Sequence, residues 1–129
     1  MKKIIITGGC GFIGTNFILK QIEANNKILN IDKLTYAGNI DNLRSISDNP
    51  NYKFINCDIC DFKKLKSVIY DFKPDTIVHF AAESHVDRSI DGPMDFINTN
   101  ITGTGTLLSV SLKYWQDTKL NSFRFLHIS

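Results

Sequence analysis

The amino-acid sequence predicts an α/β fold, a parallel sheet wound with helices on both faces. Three observations lead there. Strand-like and helix-like patterns alternate along the whole chain, the order that a parallel sheet requires. The strand patterns are short, near-continuous apolar runs such as Ile4-Ile5-Ile6 and Ile77-Val78, as in strands buried on both faces. A glycine-rich turn, Thr7-Gly8-Gly9-Cys10-Gly11-Phe12-Ile13-Gly14, stands where the first strand pattern gives way to the first helix pattern. With right-handed crossovers these features predict a doubly wound sheet of Rossmann type, strand order 3-2-1-4-5, truncated after the fifth strand.

Each element has its own signal. Residues 2–7 are a β-branched run ending in the glycine turn. Ile13 with Phe17, and Ile18 with Ile22, recur at i,i+4 and predict an amphipathic helix directly after the glycines. Lys27-Ile28-Leu29-Asn30-Ile31-Asp32 reads as the second strand. A polar loop follows, with a short helical segment over 39–46 and a turn at Asp48-Asn49-Pro50-Asn51 before a third strand over 52–56. The next helix, 61–72, ends before Pro74. Its buried side is expected to be Phe62, Leu65, Ile69 and Phe72, which leaves Lys63, Lys64 and Lys66 on a solvated face. A fourth strand over 76–81, a long helix over 94–115 and a fifth strand over 123–129 complete the chain. Gly103 and Gly105 inside that helix each cost about 1 kcal/mol relative to Ala, which points either to close approach to the sheet or to a cofactor, or to a loosely packed helix.

Composition excludes several classes of function. The 129 residues are 43% hydrophobic and 22% charged with a formal net charge of +2, ordinary for one globular domain, and neither nucleic acid nor an anionic membrane is an expected partner. The uncharged stretch 4–19 is broken by glycines and Thr7 and is too short to span a bilayer, so the chain reads as cytoplasmic. Three cysteines cannot all pair and are expected as reduced thiols. Cys57-Asp58-Ile59-Cys60 matches C-x-x-C, but Cys10, His79, His85 and His127 offer no second pair at metal-ligand spacing, so no metal site is expected.

The glycine turn carries the chemistry. Its spacing reads both as Gly9-x-Gly11-x-x-Gly14 and as Gly8-x-x-Gly11-x-x-Gly14. Glycine supplies positive φ for a tight turn, lets backbone approach a pyrophosphate, and lets the helix lie close to its strand. The unpaired N–H groups and partial positive charge of the helix start attract the anion. Asp32, about 20 residues on at the end of the second strand, is placed to accept hydrogen bonds from an adenine ribose and to repel a 2′-phosphate, which favours NAD over NADP. In such sheets ligands bind beyond the carboxyl ends of the strands, here 7–14, 32–35, 58–59, 81–88 and Ser129. Asp58 either accepts from the adenine amino group or caps the following helix.

Together, Gly8-x-x-Gly11-x-x-Gly14, Asp58 and Asn100-x-x-Gly103-Thr104 resemble the extended short-chain dehydrogenase/reductase superfamily. The strings Asp32-Lys33-Leu34-Thr35-Tyr36-Ala37-Gly38-Asn39 and His79-Phe80-Ala81-Ala82-Glu83-Ser84-His85-Val86-Asp87-Arg88-Ser89-Ile90-Asp91-Gly92-Pro93 are similar to its nucleotide-sugar dehydratases, over essentially the whole chain. The resemblance implies an NAD-binding domain over 1–129 and an enzyme that converts dTDP-glucose to dTDP-4-keto-6-deoxyglucose and water for deoxysugar synthesis such as that of rhamnose, with NAD recycled. It implies that Phe12 and Ile13 meet the pyrophosphate, Asp32, Lys33, Leu34 and Thr35 the adenosine, and Asp58 and Ile59 the adenine. It further implies that Phe80, Ala81, Ala82, Glu83, Ser84 and Thr99 meet the nicotinamide half, with Ser84 also touching the hexose. Glu83, His85, Asp87 and Arg88 read either as a hydrogen-bonded network that shapes the pocket or as reacting groups.

One departure stands out. The superfamily's oxidation uses a Tyr-x-x-x-Lys pair, and here Tyr36, Tyr52, Tyr70 and Tyr114 are followed four residues later by Ile40, Asn56, Pro74 and Thr118. The Thr-Asp-Glu run that follows the fifth strand in the dehydratases would lie after Ser129. The expectation is therefore the N-terminal part of a longer enzyme, with no catalytic residue within these 129; the resemblance further implies a homodimer of the full-length protein, formed through the helix over 94–115 and the helix that would carry the missing tyrosine. Two alternatives stay open: another sugar-nucleotide epimerase or decarboxylase of the superfamily, and a non-catalytic NAD-binding protein.

Overall fold

The computed structural model describes residues 1–33, 40–80, 94 and 98–128, with backbone alone at 40–42 and 98–100. In chain order the elements are β1 (Lys3–Thr7), α1 (Phe12–Glu23), β2 (Lys27–Asp32), a 3₁₀ segment (Ile40–Ile46), β3 (Tyr52–Asn56), α2 (Phe62–Phe72), β4 (Thr76–His79), a π-helical turn (Asn98–Gly103), α3 (Thr104–Thr118) and β5 (Arg124–His127). The five strands form one parallel sheet in the order β3-β2-β1-β4-β5, as the alternation predicts.

Two packed layers follow from the period-2 alternation of side chains. On one face Ile5, Leu29, Ile31 and Ile77 pack with Leu65 and Ile69 of α2 and with Leu107, Val110 and Tyr114 of α3. On the other, Ile4, Ile6, Ile28 and Val78 pack with Ile18 of α1, with Cys10 and with Leu43 of the 3₁₀ segment. Each fully buried Ile or Leu contributes about 1.5–3 kcal/mol relative to exposure. This double covering is why runs such as Ile4-Ile5-Ile6 and Ile77-Val78 are apolar at consecutive positions.

Several boundaries differ from the sequence reading. Strand β4 spans Thr76–His79, and Phe80 N–H still donates to the Thr7 carbonyl at 2.8 Å; the predicted last residue, Ala81, lies outside the described residues. The α2 cap is Asp61, whose Oδ1 accepts from Lys64 N–H at 3.2 Å, rather than Asp58. Phe62, at the first position of α2, is 46% exposed and does not join the buried side. Ile13 is also outside the packed face of α1, at 63% exposure.

The helix before β5 is α-helical only from Thr104; its preceding turn, Asn98–Gly103, is π-helical. Gly103 lies against the loop after β3, where an added Cβ would stand 2.7 Å from Ile59 Cδ1 and 3.4 Å from Cys60 Sγ. The predicted close approach is therefore real at Gly103, and its partner is that loop. Gly105 is exposed, and a Cβ there would meet nothing within 4 Å among the described residues. Among the described residues, Gly105 makes no close approach to the sheet. Gly105→Ala should therefore stabilise the fold by about 1 kcal/mol, whereas Gly103→Ala should lower the urea midpoint by forcing Ile59 aside. Chemical denaturation of the two variants checks both signs.

Candidate functional site

The carboxyl ends of β1, β2 and β4 meet at one mouth of the sheet. There the glycine turn is folded by close packing. Gly8 has φ 74°, a left-handed conformation in which a side chain would be strained. A Cβ on Gly14 would stand 2.6 Å from the Gly8 carbonyl oxygen and 2.8 Å from Gly9 Cα, so α1 can begin beside β1 only with glycine there. Gly9 presses on Asn30, and an added Cβ would stand 2.6 Å from its Cγ. Gly11 differs: the nearest atom to a Cβ there is Gly8 O at 3.5 Å, an ordinary contact, so the fold itself tolerates a side chain at this position.

Polar bonds lock the turn from beneath. Buried Asn30 accepts from Gly9 N–H at 3.1 Å through Oδ1, and its Nδ2 donates to the Tyr52 hydroxyl at 3.1 Å and to Cys10 Sγ at 3.5 Å. Thr15 Oγ1 donates to the Gly9 carbonyl at 3.0 Å. Asp32 Oδ2 accepts from Cys10 N–H at 3.0 Å, which holds its carboxylate beside the turn. Sequence reasoning missed Asn30, Tyr52 and Thr15. The available signal was the one amide inside the otherwise apolar run of β2.

The start of α1 is bare by comparison with that of α2. Its N-cap is Gly11, no side chain caps it, and no acidic residue stands in its first turn. Phe12 and Ile13 project from this end at 82% and 63% exposure. Lys33 Nζ and Asp58 Oδ2, at the ends of β2 and β3, stand 3.9 Å apart on the rim. Asp58 Oδ1 also accepts from Cys60 N–H at 2.9 Å, turning the chain toward α2. Ile59 is buried beneath Gly103. The Phe80 ring lies against Phe17 of α1, with centroids 5.6 Å apart. Leu34, Thr35, Ala81, Ala82, Glu83, Ser84, His85, Asp87, Arg88 and Ser129 lie outside the described residues, as does the Thr99 side chain.

Burial raises the pKa of all three thiols. Cys10 is pushed up to about 12, first by burial and then by the Asp32 carboxylate beside it. Cys57 and Cys60 are also raised, mainly by burial. None is paired in a disulfide. A thiol held protonated is a weak nucleophile and a poor metal ligand.

A second polar chain crosses the mouth. Buried His79 bonds Thr7 Oγ1 through Nδ1 at 2.6 Å and Thr104 Oγ1 through Nε2 at 2.8 Å, tying β1 to β4 and to the start of α3. Its ring stacks on His127 of β5, with centroids 4.9 Å apart. Burial, then the neighbouring His127, lowers the His79 pKa to about 4. A neutral imidazole donates from one nitrogen and accepts at the other, and a threonine hydroxyl can complement either.

The sheet order and its covered faces define a Rossmann-like α/β protein. The chain belongs to the family described as GDP-mannose 4,6 dehydratase, whose model matches residues 5–129. The dTDP-glucose 4,6-dehydratase of Salmonella typhimurium is 50% identical over 131 residues, covering 98% of this chain and 36% of that protein. The Bacillus anthracis dTDP-glucose 4,6-dehydratase, solved in complex with NAD, superposes with TM-score 0.84 at 37% identity, covering 100% of this chain and 37% of that one. DesIV, the Streptomyces venezuelae dTDP-glucose 4,6-dehydratase solved with NAD and TYD bound, gives 0.81 at 40% identity over 87% of this chain and 36% of that one. The chain thus spans little more than a third of the length of the curated relatives it matches, corresponding to their N-terminal part.

The geometry separates two glycines that a sequence pattern treats alike. Gly14→Ala should destabilise the fold by several kcal/mol, because backbone rather than a movable side chain lies in the way. Gly11→Ala should leave the melting temperature nearly unchanged and lower dinucleotide affinity, which calorimetry and thermal melts resolve. His79 predicts a pH dependence. Its ordinary pKa of about 6.5 in the unfolded chain is depressed to about 4 on folding, so the unfolded state binds the proton first. Its contribution is complete above pH 6.5 and is lost as pH falls toward 4, amounting to on the order of 3 kcal/mol. Urea unfolding across that window should show the slope, and His79→Gln should flatten it.

Proposed function

We propose that this chain is the NAD-binding part of a dTDP-glucose 4,6-dehydratase. The observation that carries the reading is the uncapped start of α1 at a glycine turn whose position Gly11 leaves the backbone open to an anion, with the Asp32 carboxylate held beside it by Cys10 N–H. These residues fit a dinucleotide. Phe12 and Ile13 would flank its pyrophosphate, Asp32 would accept from the adenine ribose hydroxyls, and Lys33, Leu34 and Thr35 would line the adenosine. Asp58 and Ile59 would border the adenine, while Phe80, Ala81, Ala82, Glu83, Ser84 and Thr99 would face the nicotinamide half, Ser84 also reaching the hexose. NAD held there would supply reversible hydride transfer for the conversion of dTDP-glucose to dTDP-4-keto-6-deoxyglucose and water. The relatives of the same name support this assignment. These 129 residues hold no Tyr-x-x-x-Lys pair, so the proton chemistry falls to further residues of a protein as long as those relatives. The pathway served is cytoplasmic deoxysugar synthesis.

Asp32 makes the cofactor choice testable. Like-charge contact with a 2′-phosphate and lost ribose hydrogen bonds should disfavour NADP by about 2 kcal/mol, or roughly thirtyfold in affinity. Calorimetry on the chain should give that ratio, with Asp32→Ala narrowing it; equal affinities for the two cofactors would overturn the role of Asp32.

The reaction and the assembly are tested together on the full-length gene product. Leu108, Leu112 and Trp115 of α3 are exposed and share one helix side, while Leu107 is buried in the core, and we place a homodimer seam on that exposed side. Sedimentation should give a dimer that Leu112→Glu weakens, and incubation with dTDP-glucose and NAD should yield the 4-keto product. The 129-residue chain alone should yield none, since general acid–base groups contribute about 10²- to 10⁴-fold each.

A further inference from the structure

At the other end of the sheet from the glycine turn, a cavity of about 480 Å³ opens between the amino-terminal ends of β1–β3 and helix α2. Its volume lies within the range of about 300–1,000 Å³ typical of small-molecule sites. The floor is apolar, formed by Leu29, Ile55, Val68 and Phe72. Lys3, Lys27 and Lys53 stand around it. Period-2 alternation explains their convergence. Lys3 shares a sheet face with Ile5, Lys27 with Leu29 and Lys53 with Ile55, and α2 packs on that same face. Register puts Lys3 opposite Lys27 and Lys53 opposite Leu29.

The charge balance there is uneven. The acid lining the cavity is Asp71, and none of the three ammonium groups forms an ion pair within 4.0 Å among the described residues. Lys3 Nζ sits 5.0 Å from the centroid of the Phe72 ring, so its charge lies directly over the apolar floor. Lys3, Lys27 and Lys53 line the same cavity, so an anion bound in it would be attracted by all three charges.

We propose that this cavity is a second binding site, for a small organic anion with an apolar body, such as an aryl or alkyl phosphate or carboxylate. A bare phosphate would leave the floor unused, and a neutral apolar molecule would leave the excess of lysines over Asp71 in the lining unbalanced. The site is independent of the dinucleotide reading, because its residues lie at the opposite ends of the strands.

Phenyl phosphate titrated into the ¹⁵N-labelled chain, followed by amide chemical shifts, tests the proposal. Saturable shifts are expected at Leu29, Asn51, Val68 and Phe72, unchanged by saturating NAD. The double variant Lys27→Gln/Lys53→Gln should keep the dispersed spectrum of the folded chain and weaken binding about tenfold or more. Inorganic phosphate and benzyl alcohol, each carrying half of the recognised chemistry, should bind at least about tenfold more weakly. Shifts confined to the glycine turn and displaced by NAD would overturn the proposal, as would equal binding of inorganic phosphate, shifts that do not saturate, or unchanged affinity in the double variant.

Discussion

The contact between the glycine turn and the buried carboxamide of Asn30 is the constraint around which the functional end of the sheet is arranged. A polar side chain in the middle of a central strand costs about 1–3 kcal/mol if its groups go unpaired. Asn30 avoids that cost because Gly9 N–H, the Tyr52 hydroxyl and Cys10 Sγ all reach it. Those partners come from the turn and from β3, so satisfying one amide fixes the turn's height above β2 and its distance from β3. Gly9 must lack a Cβ for that approach, and Gly14 must lack one for α1 to start beside Gly8.

The α1 start is uncapped, whereas α2 is closed by its own aspartate. Phe12 and Ile13 stand exposed at a place where most helices would bury apolar residues or tuck them beside a cap. Unfilled donors and exposed apolar groups reduce stability, and their coincidence at one strand mouth is the pattern of a surface shaped for a ligand rather than for folding.

The thiols and His79 show how burial sets chemical character at the same mouth. Cys10 lies in the turn itself, yet burial and Asp32 hold it protonated, so it acts as a small apolar filler. His79 is kept neutral in the same way and bridges Thr7 to Thr104, which ties the last residue of β1 to the first residue of α3. The two polar chains, through Asn30 in β2 on one side and His79 in β4 on the other, flank the strand that ends in the turn.

Most of the architecture was legible in the sequence. The alternation of patterns, the apolar runs and the right-handed crossover rule yield the five-stranded order and place β2 and β3 at their observed residues, because period and handedness are local properties of the chain. The glycine turn and Asp32 were legible for the same reason: positive φ and a strand-ending carboxylate are properties of single positions. What the sequence could not rank was which glycine is needed for folding and which leaves room for a ligand, since that depends on what a Cβ would strike among the described residues: backbone at Gly14, Ile59 at Gly103, little at Gly11 and nothing within 4 Å at Gly105. Nor could it pair Asn30 with Gly9 or His79 with Thr104, residues 21 and 25 positions apart. Those meetings depend on strand register and helix placement, long-range packing decisions that arise only when the whole sheet is assembled.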